Sequence, residues 1–281
     1  MAEDAPQLVA VVLHVEGPPP QGDGAGAGAG GSPAGAVRAL GGFAAALEAL
    51  HPGGAVALFG AAGGRAELLW ESGAVHGAGA GGGLPAAAGP RLAAMLLAAP
   101  RGGVGHGAGG EVSGVGGGVA ALPAALGKAL CYVRRVGQER GLEHRRVLVV
   151  SHRAGGDAVG ESISTLNAVF CAQRAGVVLD CCVLGPEDSP LLQQAAHSTG
   201  GIYARPPRAV GLFQSLLSLF LADLQSRPGL ELPAAQGLDS SAACFCHRRP
   251  LAVGHVCSVC LSVFCEALVE CPTCGTTFDA A

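Results

Sequence analysis

The chain is short of charge and of aromatic side chains. Only 14 % of its 281 residues are charged and 4 % are aromatic, and the formal net charge is a mild −4. So weak a charge gives no dominant electrostatic grip on a polyanion, which argues against nucleic acid as the main ligand. A basic flank ahead of an apolar stretch is missing as well. The start, "MAEDAPQLVAVVLHVEG", is acidic and does not read as an export signal. The longest apolar run, "VGLFQSLLSLFLADL", is broken by Gln214, Ser215 and Ser218 and is too short and polar to span a bilayer. A soluble intracellular protein without a membrane partner is therefore expected. In that setting clustered cysteines read as metal ligands rather than disulfides.

Glycine, by contrast, is abundant at 47 residues and unevenly spread. Segments 17–35 and 73–118 are rich in Gly, Ala and Pro and offer few large side chains to offset chain entropy, so both are read as long flexible loops. Within the second, "GHGAGG" (105–110) matches G-x-G-x-x-G. No strand precedes it and no helix follows, so it is read as a low-complexity coincidence.

Between these loops the pattern is regular. Strands are expected at 8–15, 55–61, 66–72, 145–151 and 177–185, with a short one at "GIYAR". Helices are expected at 37–50, 121–140, 161–176, 188–201 and 208–226. Leu122, Leu126, Leu130 and Val133 share one face of the second helix, and Ile163, Leu166 and Phe170 are assigned to the inward face of the third. Ser189 before Pro190 reads as a helix start, and the glycines after Thr199 as its stop. Apolar strands without polar alternation, interleaved with amphipathic helices, indicate a mostly parallel, doubly wound sheet covered on both faces. This α/β domain is assigned to residues 5–227, a linker to 228–243 and a cysteine-rich module to 244–278.

That module, "CFCHRRPLAVGHVCSVCLSVFCEALVECPTCGTTF", holds seven of the eleven cysteines. Cys257-x-x-Cys260 and Cys271-x-x-Cys274 are two knuckles, and "LSVFCEALVE" between them is long enough for a hairpin. Four thiolates around one ion describe a closed structural zinc site, so zinc is the expected cofactor. Cys244, Cys246 and Cys265 remain, with His247 and His255 nearby. A second, cross-braced zinc would need a fourth ligand, and the first pair is C-x-C. These three are read as packing around the first site, or as alternates for one of its ligands. Leu261, Val263, Phe264, Leu268 and Val269 are more apolar side chains than so small a hairpin can bury, so some are expected to face other surfaces.

No catalytic set emerges. At the end of the first strand, His14-Val15-Glu16-Gly17-Pro18 stands where metal-binding von Willebrand A domains carry D-x-S-x-S, and a metal-free site is expected there. "LGKAL" (126–130) lacks the upstream Gly and the following Ser or Thr of a phosphate loop. Ser151-His152 lacks a nucleophile elbow and is read as a solvated loop end. Asp180 is read as a satisfied buried carboxylate, Cys181 and Cys182 as core, and Arg134 and Arg135 as a solvated helix face.

The tail, together with "ALGKALCYVRR", "LNAVFCAQRAGVVLDCCVL" and "LLQQAAHSTGGIYARPP", resembles the smaller von Willebrand A-type, zinc-bearing subunit of the general transcription and repair factor TFIIH. The resemblance runs from about Leu122 to Phe278 and is weaker before that. A lysine-rich extreme C-terminus expected in that family is missing. The resemblance implies a nuclear, non-catalytic scaffold with no small-molecule substrate. Its partners would be the larger A-type, RING-bearing subunit and other subunits of the TFIIH core. Its processes would be RNA polymerase II initiation and nucleotide excision repair. Two alternatives remain: a RING-like ubiquitin ligase component, and a zinc-dependent nucleic-acid binder. The tail's Arg248 and Arg249, set against Glu266, Glu270 and Asp279, argue against the latter.

Overall fold

The computed structural model describes residues 6–16, 33–72, 90–91, 94, 121–153, 159–185, 187–206, 211–232, 242–247 and 249–278. The chain divides into two units, Met1–Gln236 and Gly237–Ala281.

The first unit is built on β1 (Gln7–Glu16), β2 (Ala55–Ala62), β3 (Arg65–Glu71), β4 (His144–Arg153), β5 (Val178–Val183) and β6 (Tyr203–Ala204). They form one sheet in the order β3-β2-β1-β4-β5-β6. Every pairing is parallel except that of edge strand β3, which runs antiparallel to β2. The helices described over their full length are α1 (Pro33–Leu50), α2 (Ala121–Arg140), α3 (Val159–Arg174), α4 (Pro190–Thr199) and α5 (Leu212–Phe220).

The unbroken apolar run of β1 follows from burial on two sides. Leu8, Ala10 and Val12 enter one core with Leu126, Ala129 and Val133 of α2, whereas Val9, Val11, Leu13 and Val15 enter a second core with Leu40, Phe43 and Leu47 of α1 and Leu216 and Phe220 of α5. Successive strand residues face opposite sides, so a strand covered on both must be apolar throughout. No helix among the described residues is long and apolar enough to cross a membrane.

Several expectations are corrected. α1 begins at Pro33, inside the loop assigned to 17–35. Proline suits the first helical turn, where its missing N–H costs no bond. Pro90, Arg91 and Ala94 are helical, inside the loop assigned to 73–118, and Arg91 donates to the Leu69 and Leu68 carbonyls at 3.1 and 3.2 Å. The rest of both loops, including 105–110, lies outside the described residues. The inward face of α3 carries Thr165, Val169 and Ala172, not the bulkier residues. Small side chains let α3 lie close to α2 and α4, which leaves Ile163 67 % and Phe170 51 % exposed. The last helix is shorter than 208–226: Gly211 is extended before its first turn, and beyond its end the carbonyls of Leu221 and Ala222 accept from Arg146.

The start and stop of α4 are where the residues placed them. Ser189 caps the helix by accepting from the Leu192 amide at 3.2 Å, and Gly200 ends it at φ 72°. Gly201 is required for a different reason. A Cβ there would sit 1.9 Å from the Leu179 carbonyl oxygen, backbone that cannot move aside. Gly201→Ala is expected to cost about 3 kcal/mol, the upper end for overpacking. Gly200→Ala, at a left-handed position with open space, should cost about 1 kcal/mol. Urea unfolding of the two variants tests the ranking, and equal losses would contradict it.

Candidate metal centre

The second unit contains little regular structure: β7 (Ala242–Ala243) pairs with β8 (Pro250–Leu251), and β9 (His255–Val256) pairs with β10 (Val263–Phe264). Between β9 and β10 lies the first knuckle. The Cys257 amide donates to the Ser262 carbonyl at 2.9 Å, and the Leu261 amide donates back to the Cys257 carbonyl at 3.0 Å. Leu261 takes φ 61° to close this turn. The second knuckle repeats the geometry. Cys271 donates to the Thr276 carbonyl and Gly275 to the Cys271 carbonyl, both at 2.8 Å, with Gly275 at φ 70°. Each knuckle also sets a hydroxyl beside its second cysteine: Ser262 Oγ is 3.2 Å from Cys260 Sγ, and Thr276 Oγ1 is 3.1 Å from Cys274 Sγ.

These turns aim four sulfurs at one point. Cys257 Sγ is 3.7 Å from Cys274 Sγ, Cys260 Sγ is 3.6 Å from Cys271 Sγ, and all four lie within 4.8 Å of one another. The separations exceed a disulfide bond, about 2.05 Å. They suit the edge of a tetrahedron with metal–sulfur bonds of about 2.3 Å, which is about 3.7 Å. The electrostatics favour thiolate at two corners. The hydroxyl and amide of Ser262 bring the Cys260 thiol down to about 6, and those of Thr276 lower Cys274. Burial pushes Cys271 up, to about 11. A cation would supply the missing stabilisation there. The residues fit a soft, tetrahedral ion of the zinc type. Gly275→Ala should weaken zinc binding about fivefold, the roughly 1 kcal/mol that a left-handed alanine costs. Competition with a chromophoric chelator would measure it, and an unchanged affinity would contradict the turn geometry.

A second cluster lies nearby. The ligand atoms of Cys244, Cys246, His247 and Cys265 are within 4.8 Å of one another. His247 is named in the sequence only as a neighbour of these cysteines, because Cys244 and Cys246 stand as a C-x-C pair. The signal that would have found it is the spacing from Cys244, which makes Cys244-x-x-His247 a third knuckle. Phe264, counted among the surplus apolar residues, is instead buried with Cys257 and Cys271, against half-buried Leu268 and Phe278. Leu261 and Val269 do remain exposed.

In the first unit, His14 and Ser151 lie side by side across β1 and β4, with His14 Nδ1 3.1 Å from Ser151 Oγ. This is the end of the sheet where the connection order reverses, the usual ligand position in such folds. Both side chains are buried, so Ser151 is not the solvated loop end expected of it, and β4 continues through His152 to Arg153. The side chain of Glu16 lies outside the described residues. Lys128 is on the exposed side of α2 and donates to the Ala66 carbonyl. Cys181 and Cys182 are core, and Arg134 and Arg135 are exposed. Asp180 is fully buried and well partnered. Arg227 Nη1 donates to its Oδ1 at 2.9 Å and Nη2 to its Oδ2, Arg146 Nη1 lies 3.5 Å from Oδ2, and the Ile202 amide donates to Oδ1 at 2.9 Å.

A doubly wound sheet of the von Willebrand A type, joined in sequence to a compact module of cysteine knuckles, defines the class. Residues 113–275 match the family of transcription factor Tfb4, and the chain belongs to that family. Subunit TFB4 of general transcription and DNA repair factor IIH from Arabidopsis thaliana is 40 % identical over 157 residues, covering 56 % of this chain and 52 % of that protein. Subunit 3 of general transcription factor IIH from Dictyostelium discoideum is 42 % identical over 156 residues, covering 56 % of this chain and 41 % of that protein. The chain thus spans about half the length of the curated relatives it matches. The crystal structure of the TFIIH p34 N-terminal domain matches over 76 % of this chain and 97 % of that one, with a TM-score of 0.55 and 21 % identity, a likeness of fold.

Proposed function

We propose that the protein is a non-catalytic structural subunit of the TFIIH core, acting in the nucleus in RNA polymerase II initiation and nucleotide excision repair. On this reading it docks on the larger A-type, RING-bearing subunit, and Cys257, Cys260, Cys271 and Cys274 hold a structural zinc. Membership of the Tfb4 family and the names of the relatives support the assembly. Four sulfurs within 4.8 Å of one another support the zinc, and a closed thiolate shell, which leaves no coordination position for a water nucleophile, supports a structural role for it. The observation that carries a docking role is on α3. Ile163 and Phe170, two turns apart on one helix face, are both more than half exposed. A partner docked on this helix face would cover both side chains.

Co-expression with the larger A-type subunit and affinity capture tests this. The intact chain should capture that subunit. Phe170→Asp should reduce capture at least tenfold, the loss of a contact residue at an interface, while leaving the melting temperature within about 1 °C because the side chain is exposed. Undiminished capture by Phe170→Asp removes α3 from the interface. Failure of the intact chain to capture the subunit overturns the assembly reading.

A further inference from the structure

We propose that Cys244, Cys246, His247 and Cys265 form a second zinc site, interleaved in sequence with the four-thiolate site, so that the tail is a cross-braced, two-metal module. The first support is backbone geometry. The Cys244 amide donates to the Arg249 carbonyl at 3.0 Å. This bond spans five residues, as do those from Cys257 to Ser262 and from Cys271 to Thr276. All three segments carry the same three-residue turn after the first cysteine. In the other two knuckles the second ligand stands three residues after the first. Here that place is taken by His247, whose amide donates to Cys244 Sγ at 3.1 Å. An amide aimed at a sulfur favours thiolate, the form a metal binds.

The second support is the distances. His247 Nδ1 is 3.7 Å from Cys244 Sγ and 3.4 Å from Cys265 Sγ. With metal–sulfur bonds of about 2.3 Å and metal–nitrogen bonds of about 2.0–2.1 Å, the sulfur–nitrogen edge of a tetrahedron is about 3.5 Å. Coordination through Nδ1 puts the ring proton on Nε2.

The third support is chain order. Cys244, Cys246 and His247 are followed by Cys257 and Cys260, then Cys265, then Cys271 and Cys274. The ligands therefore alternate between the two sites. The backbone ties them as well, because Phe245, inside the first turn, donates its amide to Val263 of β10 at 2.8 Å. Cys265 directly follows β10, so the strand that leaves the first knuckle delivers the fourth ligand to the second site. The second ion gives the tail the ligand interleaving of a RING module. It bears on the tail's shape and leaves the assembly role unchanged.

Metal content of the full chain, purified under reducing conditions with zinc, gives the first test. Two zinc ions per chain are expected, and one or none overturns the proposal. Loss of at least one ion in His247→Ala is expected, whether the other site survives or collapses with it, and retention of two overturns the histidine's role. A second measurement avoids variants. Cys246 is exposed and Cys265 half-buried, and exposed Cys131 and Cys171 of α2 and α3 serve as internal references. In the zinc-loaded chain, alkylation of Cys246 and Cys265 should be at least tenfold slower than that of the references. A chelator should abolish the difference. Cys246 reacting at the reference rate in the loaded chain, or protection that persists after chelation without a reductant, overturns the site.

Discussion

Asp180→Ala is expected to destabilise the sheet domain by about 3–5 kcal/mol, the loss that follows when one partner of a buried ion group is removed. Asp180 is inaccessible, and so nearly are its cationic partners: the side chains of Arg146 and Arg227 are 2 % and 9 % exposed. The carboxylate sits in β5 and holds together elements remote in sequence. Arg146 comes from β4, Arg227 from the turn of helix at Arg227–Gly229, and the Ile202 amide from the entry to β6. Burial lowers Arg146 to about 10, and the Asp180 charge opposes that shift. Without the carboxylate, two guanidinium groups would face each other with little water to screen them. The Leu221 and Ala222 carbonyls that accept from Arg146 supply only dipoles, and the Asp223 charge favours the Arg146 cation less than Asp180 does.

In a domain of this size, about 3–5 kcal/mol lowers Tm by roughly 10 °C. Circular dichroism melts would read it. Asp180→Asn keeps the shape but loses the charge, and should fall almost as far. Arg227→Ala should cost less than Asp180→Ala, because Arg146 still neutralises the carboxylate. A triple replacement, with Leu at Asp180 and Met at both arginines, should recover much of the loss, as apolar isosteres of buried ion groups do. A loss below about 1 kcal/mol in Asp180→Ala would mean that water enters and the cluster is not a structural tie.

How far these features were legible depends on how local their causes are. The ends of α4 were, since Ser189, Pro190 and Gly200 act within a few residues of themselves. So was β1, whose unbroken apolar run means burial on both faces. The face of α3 was not, because apolar bulk at helical spacing does not by itself fix which face is buried. Packing instead selected Thr165, Val169 and Ala172, which allow close approach. Beyond the end of the last helix the carbonyls of Leu221 and Ala222 meet a partner remote in sequence, the Arg146 side chain. The ion cluster was half visible. Asp180 read as buried and satisfied, but Arg146 and Arg227 lie 34 and 47 residues away. A usable hint was present in opposite charges on two strands otherwise composed for burial. In the tail, the two C-x-x-C knuckles were plain. Cys244-x-x-His247 was hidden by the more conspicuous C-x-C that overlaps it.

Removal of metal is expected to unfold the tail while the sheet domain stays folded. The tail's apolar cluster has three fully buried members, and two of them, Cys257 and Cys271, are metal-ligand candidates; only Phe264 is an ordinary core residue. Its four described strands are two residues long each. Val253, Val259 and Val269 are 86, 65 and 74 % exposed, so they add little burial. A module so small cannot offset its chain entropy with that core. Zinc sites of this kind contribute about 10–16 kcal/mol of apparent binding free energy, which becomes folding free energy where no site exists in the unfolded chain. The sheet domain has two large cores of its own and contains none of the seven tail cysteines. After chelation, amides within residues 244–278 should lose exchange protection and the segment should become cleavable by protease. Amides of β1, β4 and β5 should keep their protection, and the thermal transition of the sheet domain should move by no more than about 2 °C. Restoring zinc should restore tail protection in proportion to metal bound. Tail amides that stay protected in a chain shown to be metal-free would sink the reading, for the knuckles would then be held by packing alone.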